Sequence, residues 1–415
     1  MNLLENIGKK AKEASYELAN LNTEEKNKIL LNIKNTLNKR RNEIIKANKI
    51  DIENGKKAGL SEGLLDRLLL NDDRVDGMLD SIDTVIGLDD PIGEVSDMKK
   101  MLNGLEIGKR RVAIGVIAII YEARPNVTLD CSILCLKSSN SLILRGGKEA
   151  INSNMAIVKI IRDAIEELNY DKNIVQLIED TTRESSNELM KLNKYVDMLI
   201  PRGSANLINH VVKNSTVPVL QTGNGNCHIF VDDTADIDMA IAIIENAKTQ
   251  RIGVCNAMES LLVSEKVDKE FFGKLNDIIE KYNITVYGCE KSKQYLPNIK
   301  DATENEYAME YLDYAFSMKI VKDIDEAISH IRKYSTKHSE AIITNDYNNS
   351  MKFLNLVDSS CVYVNASTRF TDGGEFGFGA EMGISTQKLH ARGPVGLKEL
   401  TSEKYVILGN GQIRK

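Results

Sequence analysis

Apolar runs long enough to cross a bilayer are missing from this 415-residue chain. Stretches such as 116–120 and 239–244 fall far short of the roughly 20 residues a spanning helix needs. The amino terminus, Met1-Asn2-Leu3-Leu4-Glu5-Asn6, has no basic stretch ahead of an apolar core, so a cytoplasmic protein without a membrane partner is expected. Positive charge is not in surplus: 54 Lys and Arg face 60 Asp and Glu, a net charge of -6, which argues against a nucleic-acid partner. A local basic cluster can still hold one phosphate or carboxylate. Cysteine is sparse, six in all and without the dense spacing of a disulfide framework, so reduced thiols are expected. Cys131 and Cys135 lie close in sequence, yet no second pair completes a ligand set, and the five histidines show no mutual metal spacing. No metal is therefore expected. The usual nucleotide fingerprints, G-x-G-x-x-G and the P-loop lysine motif, are absent from strand-to-helix turns.

What is present reads as an α/β protein. A chain of 415 residues exceeds the size at which one core stops growing, so at least two domains are expected. Residues 3–88 are mostly helical in pattern: Thr23 reads as an N-cap with Glu24 and Glu25 in the first turn, followed by Ile29, Leu30, Ile33 and Leu37 on one face. Residues 111–114 and 116–120 read as strands on either side of Gly115. Residues 404–408 and 412–414, around Gly409-Asn410-Gly411, have the same texture, and pairing of these distant segments would form a small arm suited to oligomerisation. From Asn126 onward helices (128–137, 150–168) alternate with strands (141–144, 174–178), and a second alternating set runs from Ala235 to Val364. That alternation predicts parallel, helix-covered sheets.

Chemistry concentrates on a few connections. Cys255, in Gln250-Arg251-Ile252-Gly253-Val254-Cys255-Asn256, falls between a predicted helix at 235–247 and a predicted strand at 260–263. A thiol works as its anion, which a partly exposed, electropositive pocket favours, and Gly253 allows close backbone approach. Cys255 is the candidate nucleophile, the alternative being a packed structural cysteine. Leu144-Arg145-Gly146-Gly147-Lys148 follows a strand and opens a helix, so its N–H groups and two cations suit a dinucleotide phosphate; simple chain reversal is the alternative.

Several ordered segments carry a resemblance. They are Ile120-Tyr121-Glu122-Ala123-Arg124-Pro125-Asn126-Val127-Thr128, the Leu142 to Ala150 stretch, Leu220-Gln221-Thr222-Gly223-Asn224-Gly225-Asn226-Cys227-His228, the Cys255 segment, and Arg369-Phe370-Thr371-Asp372-Gly373-Gly374-Glu375-Phe376-Gly377 running on to Arg414. Together they resemble the gamma-glutamyl phosphate reductases, or glutamate-5-semialdehyde dehydrogenases, of the aldehyde dehydrogenase superfamily. Val321 to Ile342, ending His338-Ser339-Glu340-Ala341-Ile342, resembles a signature peculiar to that branch.

The resemblance implies an aldehyde dehydrogenase-like fold: a Rossmann-like NADPH domain (1–105 and 124–232), an α/β catalytic domain (233–370), a β oligomerisation arm (106–123 and 396–415) and a glycine-rich return segment (371–395). It also implies NADPH, with Arg145, Gly146 and Lys148 near the adenosine phosphate, Gly203 and Ser204 near the diphosphate, and Glu310 near the nicotinamide ribose. The implied substrate is a small molecule, L-glutamyl 5-phosphate, reduced in proline biosynthesis through a thioester on Cys255. Asn126, with the backbone N–H of Cys255, would hold the oxyanion. Arg124 and Arg369 are candidates for the substrate anions, and Glu340, Glu259 and Asp372 for its ammonium, with His338 lining the cleft; ion pairing within the protein is the alternative for each. Gln221 stands where the family usually has Glu, and a neutral amide is no general base, which weakens a hydrolytic reading. The alternatives are an aldehyde dehydrogenase with another acyl acceptor, and a non-catalytic paralogue.

Overall fold

The computed structural model describes residues 2–296 and 298–414. The chain divides into two compact units, one of Met1–Gln221, Gly377–Gly383 and Val395–Lys415, the other of Thr222–Phe376 and Ile384–Pro394.

The first unit opens with helices Leu3–Leu18, Thr23–Lys39, Arg41–Lys57 and Asp72–Gly87 among others. The cap of Thr23–Lys39 is Asn22 rather than Thr23: its side chain accepts from Glu25 N at 3.0 Å, and the Glu25 carboxylate accepts from Asn22 N at 2.8 Å. Ile29, Leu30, Ile33 and Leu37 are buried as the periodicity predicts, each contributing roughly 1.5–3 kcal/mol. Strands β1 (Val95–Lys100) and β2 (Glu106–Ala113) come next, then β3 (Val116–Tyr121), β4 (Ser141–Gly146), β5 (Val175–Leu177) and β6 (Met198–Arg202). The last four form a parallel sheet in the order β5-β4-β3-β6. Val116-Ile117-Ala118-Ile119-Ile120-Tyr121 is buried throughout, the continuous apolar run expected of a strand covered on both faces. Because β4 and β5 extend the sheet on one side of β3 and β6 on the other, the strand order reverses at β3, and ligands bind at the carboxyl edge of such a point.

The second unit carries β7 (Cys227–Val231), β8 (Met258–Ser264), β9 (Thr285–Gly288), β10 (Lys300–Asp301), β11 (Ala315–Val321), β12 (Ser339–Ile343) and β13 (Cys361–Val364). They make one parallel sheet in the order β10-β9-β11-β8-β7-β12-β13. Short β14 (Ile384–Ser385) and β15 (Gly393–Pro394) pair antiparallel within the return segment. The core is built from Ile229, Val231, Leu261, Val263, Met318 and Ile320 on one face, with Phe230, Leu262 and Ile342 on the other.

Two boundaries differ from the sequence reading. The first domain was expected to run to 232, but β7 pairs with β8 and β12, which places it in the second unit and the division after Gln221. The arm was expected to include 116–123, but β3 is the centre of the parallel sheet. Gly115, at φ +128°, lets the chain pass from one sheet to the other. The arm itself is β1, β2 and β16 (Thr401–Leu408), with β16 antiparallel to β2 from Thr401–Ala113 to Leu408–Glu106. The expected pairing of 404–408 with the strand before Gly115 is thus observed, whereas 412–414 is not strand.

Candidate active site

In the first unit the candidates gather at the carboxyl edge of the sheet, where Tyr121 of β3 lies level with Gly146 of β4 and Arg202 of β6. Glu122 N donates to the Arg202 carbonyl at 3.1 Å. The Glu122 carboxylate accepts from Ser204 N at 2.8 Å and Ser204 Oγ at 3.3 Å, and Gly203 leaves room for it, since a Cβ there would sit 2.4 Å from Glu122 Oε2. Ser204 is exposed and caps the helix Ala205–Asn214, accepting from Leu207 N at 3.4 Å. Lys148 is exposed just past β4, and Gly146 is buried, where a Cβ would meet Asn154 Nδ2 at 2.2 Å. Arg145 is half-buried: its Nη2 donates to the Thr181 and Thr182 carbonyls, each at 2.7 Å, and burial lowers its pKa.

Arg124 and Asn126 lie on the connection after β3, which bends through Ala123 at φ +42° and is tied by Ala123 N donating to Glu149 Oε1 at 2.8 Å. Asn126 opens the helix Asn126–Lys137, and its Nδ2 donates to Asp130 Oδ2 at 2.9 Å. Burial pushes the Asp130 carboxyl up to about 6. The Asn126 amide is thus oriented by Asp130. Gln221 ends the unit, half-buried.

In the second unit the candidates sit at the amino edge of the sheet. The helix Ile237–Thr249, capped by Asp236 accepting from Met239 N at 2.8 Å, ends at Gln250 and leads into a loop that reaches β8 at Met258. Cys255 is half-buried on that loop, which is closed by Ala257 N donating to the Val254 carbonyl at 3.1 Å. Gly225 passes beside it so closely that a Cβ would lie 1.3 Å from the Cys255 oxygen. Arg369 donates to Gln250 Oε1 at 2.8 Å and to the Asn256 side chain. Burial, followed by neighbouring Arg251, lowers the Arg369 pKa. Glu310 accepts from Gly225 N at 2.7 Å, and burial raises its pKa.

Other predicted residues lie deeper. His338 has no exposed surface; its Nδ1 is 2.8 Å from Ser339 Oγ, and burial pushes its pKa down to about 4. Glu340 is equally buried, accepting from His228 N at 2.7 Å, lying 3.0 Å from His228 Nδ1, and receiving the hydroxyls of Ser335 and Ser359. Its carboxylate closes a network inside the sheet instead of facing a ligand ammonium. Glu259 is paired with Lys248 at 2.8 Å, both buried; burial raises the acid's pKa and lowers the lysine's. Asp372 is exposed and accepts from Gly374 N at 2.8 Å. Residues that the sequence reading missed are Gly225, Cys227 and Asn256, all packed around the nucleophile loop. Their signal was adjacency: the Gly-Asn-Gly-Asn-Cys run enters a strand, and Asn256 follows Cys255. Among the described residues no group of three or more His, Cys, Asp or Glu is placed to hold a metal, and no helix is long and apolar enough to cross a membrane.

Comparison with known proteins places this geometry. The aldehyde dehydrogenase family profile matches residues 3–313. The chain is 58% identical over 407 residues to a gamma-glutamyl phosphate reductase of Clostridium perfringens, covering 98% of each chain. It is 56% identical over 414 residues to one from Clostridium botulinum, covering 100% of each. The solved structure of a gamma-glutamyl phosphate reductase from Thermotoga maritima superposes with a TM-score of 0.98 at 52% identity, again over 100% of both chains. An acetylating aldehyde dehydrogenase from Geobacillus thermoglucosidasius shares the fold at a TM-score of 0.71 and 18% identity, covering 99% of this chain and 97% of that one. The chain therefore belongs to the aldehyde dehydrogenase family and, within it, to the gamma-glutamyl phosphate reductases.

Proposed function

We propose that the chain is a cytoplasmic, homo-oligomeric enzyme that reduces L-glutamyl 5-phosphate to L-glutamate 5-semialdehyde and phosphate with NADPH, through a thioester on Cys255. The step serves proline biosynthesis. The observation that carries the reading is the half-buried Cys255 on a braced loop beside Arg369, in a chain 58% identical to a gamma-glutamyl phosphate reductase. The Cys255 thiolate attacks the acyl carbon, the carbon–oxygen bond to phosphate breaks, and phosphate departs with the electron pair. By the family resemblance the oxyanion is assigned to Asn126 and to the Cys255 N–H, and the substrate anions to Arg124 and Arg369.

The first unit's carboxyl edge suits the phosphates of a nicotinamide cofactor: Ser204 and Lys148 are exposed there, and Arg145, Gly146 and Gly203 complete the set; Glu310, of the second unit, is assigned to the ribose by the resemblance alone. When bound, the cofactor supplies hydride to the acyl carbon. The chain's own part is to keep the acyl group on sulfur, to exclude water as acceptor, and to release the aldehyde as the thiolate re-forms. Gln221 supports this division of labour, because an amide there activates no water. His338 and Glu340, buried and hydrogen-bonded, brace the sheet beneath the site and are not assigned to the substrate.

Cys255→Ala is expected to abolish NADP reduction by glutamate semialdehyde while retaining cofactor binding, measured by absorbance of the reduced cofactor and by calorimetry. Full turnover in the variant would remove Cys255 as nucleophile.

A further inference from the structure

The peptide that follows the nucleophile is held on several sides by buried groups of the second unit. Cys227, the first residue of β7, has no exposed surface, and its Sγ donates to the Cys255 carbonyl oxygen at 3.2 Å. Gly225 lies against the same oxygen, where a Cβ would come within 1.3 Å. On the far side of the peptide, Asn256 Nδ2 donates to the Thr371 carbonyl at 2.9 Å and the Arg369 carbonyl at 3.3 Å, and its own carbonyl accepts from Thr368 Oγ1 at 2.7 Å. The contacts close into a ring. Cys227 Sγ is 3.7 Å from His338 Nδ1, His338 Nδ1 is 2.8 Å from Ser339 Oγ, and Ser339 Oγ is 2.7 Å from Thr371 Oγ1. Thr371 in turn touches Tyr363 Oη at 2.7 Å and, through its carbonyl, returns to Asn256.

We propose that Cys227 is a positioning residue for the nucleophile: its buried thiol, seated between the Cys255 carbonyl and His338, fixes the Cys255 backbone and so the direction in which the Cys255 side chain and N–H meet the acyl group. The proposal rests on Cys255 being the nucleophile. A carbonyl that is fixed sets the rotation about the Cys255 Cα–C bond, and the loop is also closed by Ala257 N donating to the Val254 carbonyl across it. Gly225 lies against the Cys255 oxygen and brings no side chain to it, so the side-chain donor at this point is the Cys227 thiol. Burial and the nearby Glu340 raise the Cys227 pKa well above the usual thiol range, so the group stays protonated as a donor and does not compete as a nucleophile. Glu340, saturated by His228, Ser335 and Ser359, and His338 stand behind it as fixed supports.

The test compares wild type, Cys227→Ala and Cys227→Ser as full-length enzymes. The readouts are steady-state oxidation of glutamate semialdehyde with NADP and phosphate, site-resolved alkylation of Cys255 by iodoacetamide followed by mass spectrometry, and the thermal midpoint. Cys227→Ala is expected to lower kcat by about tenfold or more with KM for NADP unchanged, and to alter Cys255 alkylation severalfold. Cys227→Ser, whose hydroxyl still donates, restores most of both. Wild-type kcat and alkylation in Cys227→Ala would overturn the proposal, and so would equal losses in both variants that track the thermal midpoint. Should the wild type not turn over glutamate semialdehyde, the functional reading falls, and the alkylation comparison still decides the role of Cys227.

Discussion

At the residue scale, what was legible in the sequence depended on whether a residue's role is written by its neighbours in the chain or by its neighbours in space. Cys255 and Asn126 stood out because each lies in a motif at a connection; both are half-buried, Cys255 on its loop and Asn126 as the first residue of the helix after β3. His338 and Glu340 were read as facing the cleft because they lie in a segment that resembles the family's signature and a carboxylate suits the substrate's ammonium. The sheet is buried on both faces there and β12 has no exposed residue, so the Glu340 carboxylate is satisfied internally by His228, Ser335 and Ser359, and His338, just before the strand, is buried against Ser339. His330 is a further buried imidazole, 5.0 Å from the Tyr307 ring and 4.5 Å from Tyr334. Burial, then His228, pushes its pKa down to about 2. The unfolded chain protonates this group near about pH 6.5, so the stability it contributes is complete above that value and is lost as pH falls toward the folded pKa. The loss reaches roughly 2 kcal/mol at about pH 5. His330→Phe is expected to flatten the fall in thermal midpoint between about pH 7 and about pH 5. An unchanged pH slope in the variant would show that other groups carry the acid sensitivity.

At the scale of elements, alternation and periodicity were read well. The helices at 126–137 and 151–167 and the strands at 141–146 and 258–264 fall within a few residues of their expected spans. The domain division was not legible, because no linker or change of composition marks Gln221, and β7 joins the second sheet through pairing partners far away in sequence. The short segment before β7 is the element that brings Gly225 against the Cys255 loop. Gly225→Ala must push that loop aside, since a Cβ would overlap the Cys255 carbonyl at 1.3 Å. Turnover is expected to fall by about 100-fold, with circular dichroism unchanged in shape. Wild-type kcat/KM in this variant would mean that the loop adapts without loss.

At the scale of the whole molecule, the proposed role of the arm and the proposed reaction both reach beyond one chain's fold. In the arm, Tyr405, Ile407 and Leu408 are exposed apolar side chains on an antiparallel sheet, Leu102 is exposed on its β1–β2 turn, and among the described residues the outer strands β1 and β16 have no partner on their far edges. We expect Ile407→Glu combined with Tyr405→Glu to lower the assembly mass in light scattering with little change in the fold of each subunit. Unchanged mass would count against the arm as a subunit contact. The reaction rests on phosphate being the group that leaves Cys255's acyl partner, and the most direct measurement is the reverse direction: glutamate semialdehyde with NADP, followed by absorbance, with and without inorganic phosphate. Turnover that requires phosphate is the predicted result. Equal turnover without phosphate, or turnover that instead requires coenzyme A, would contradict it.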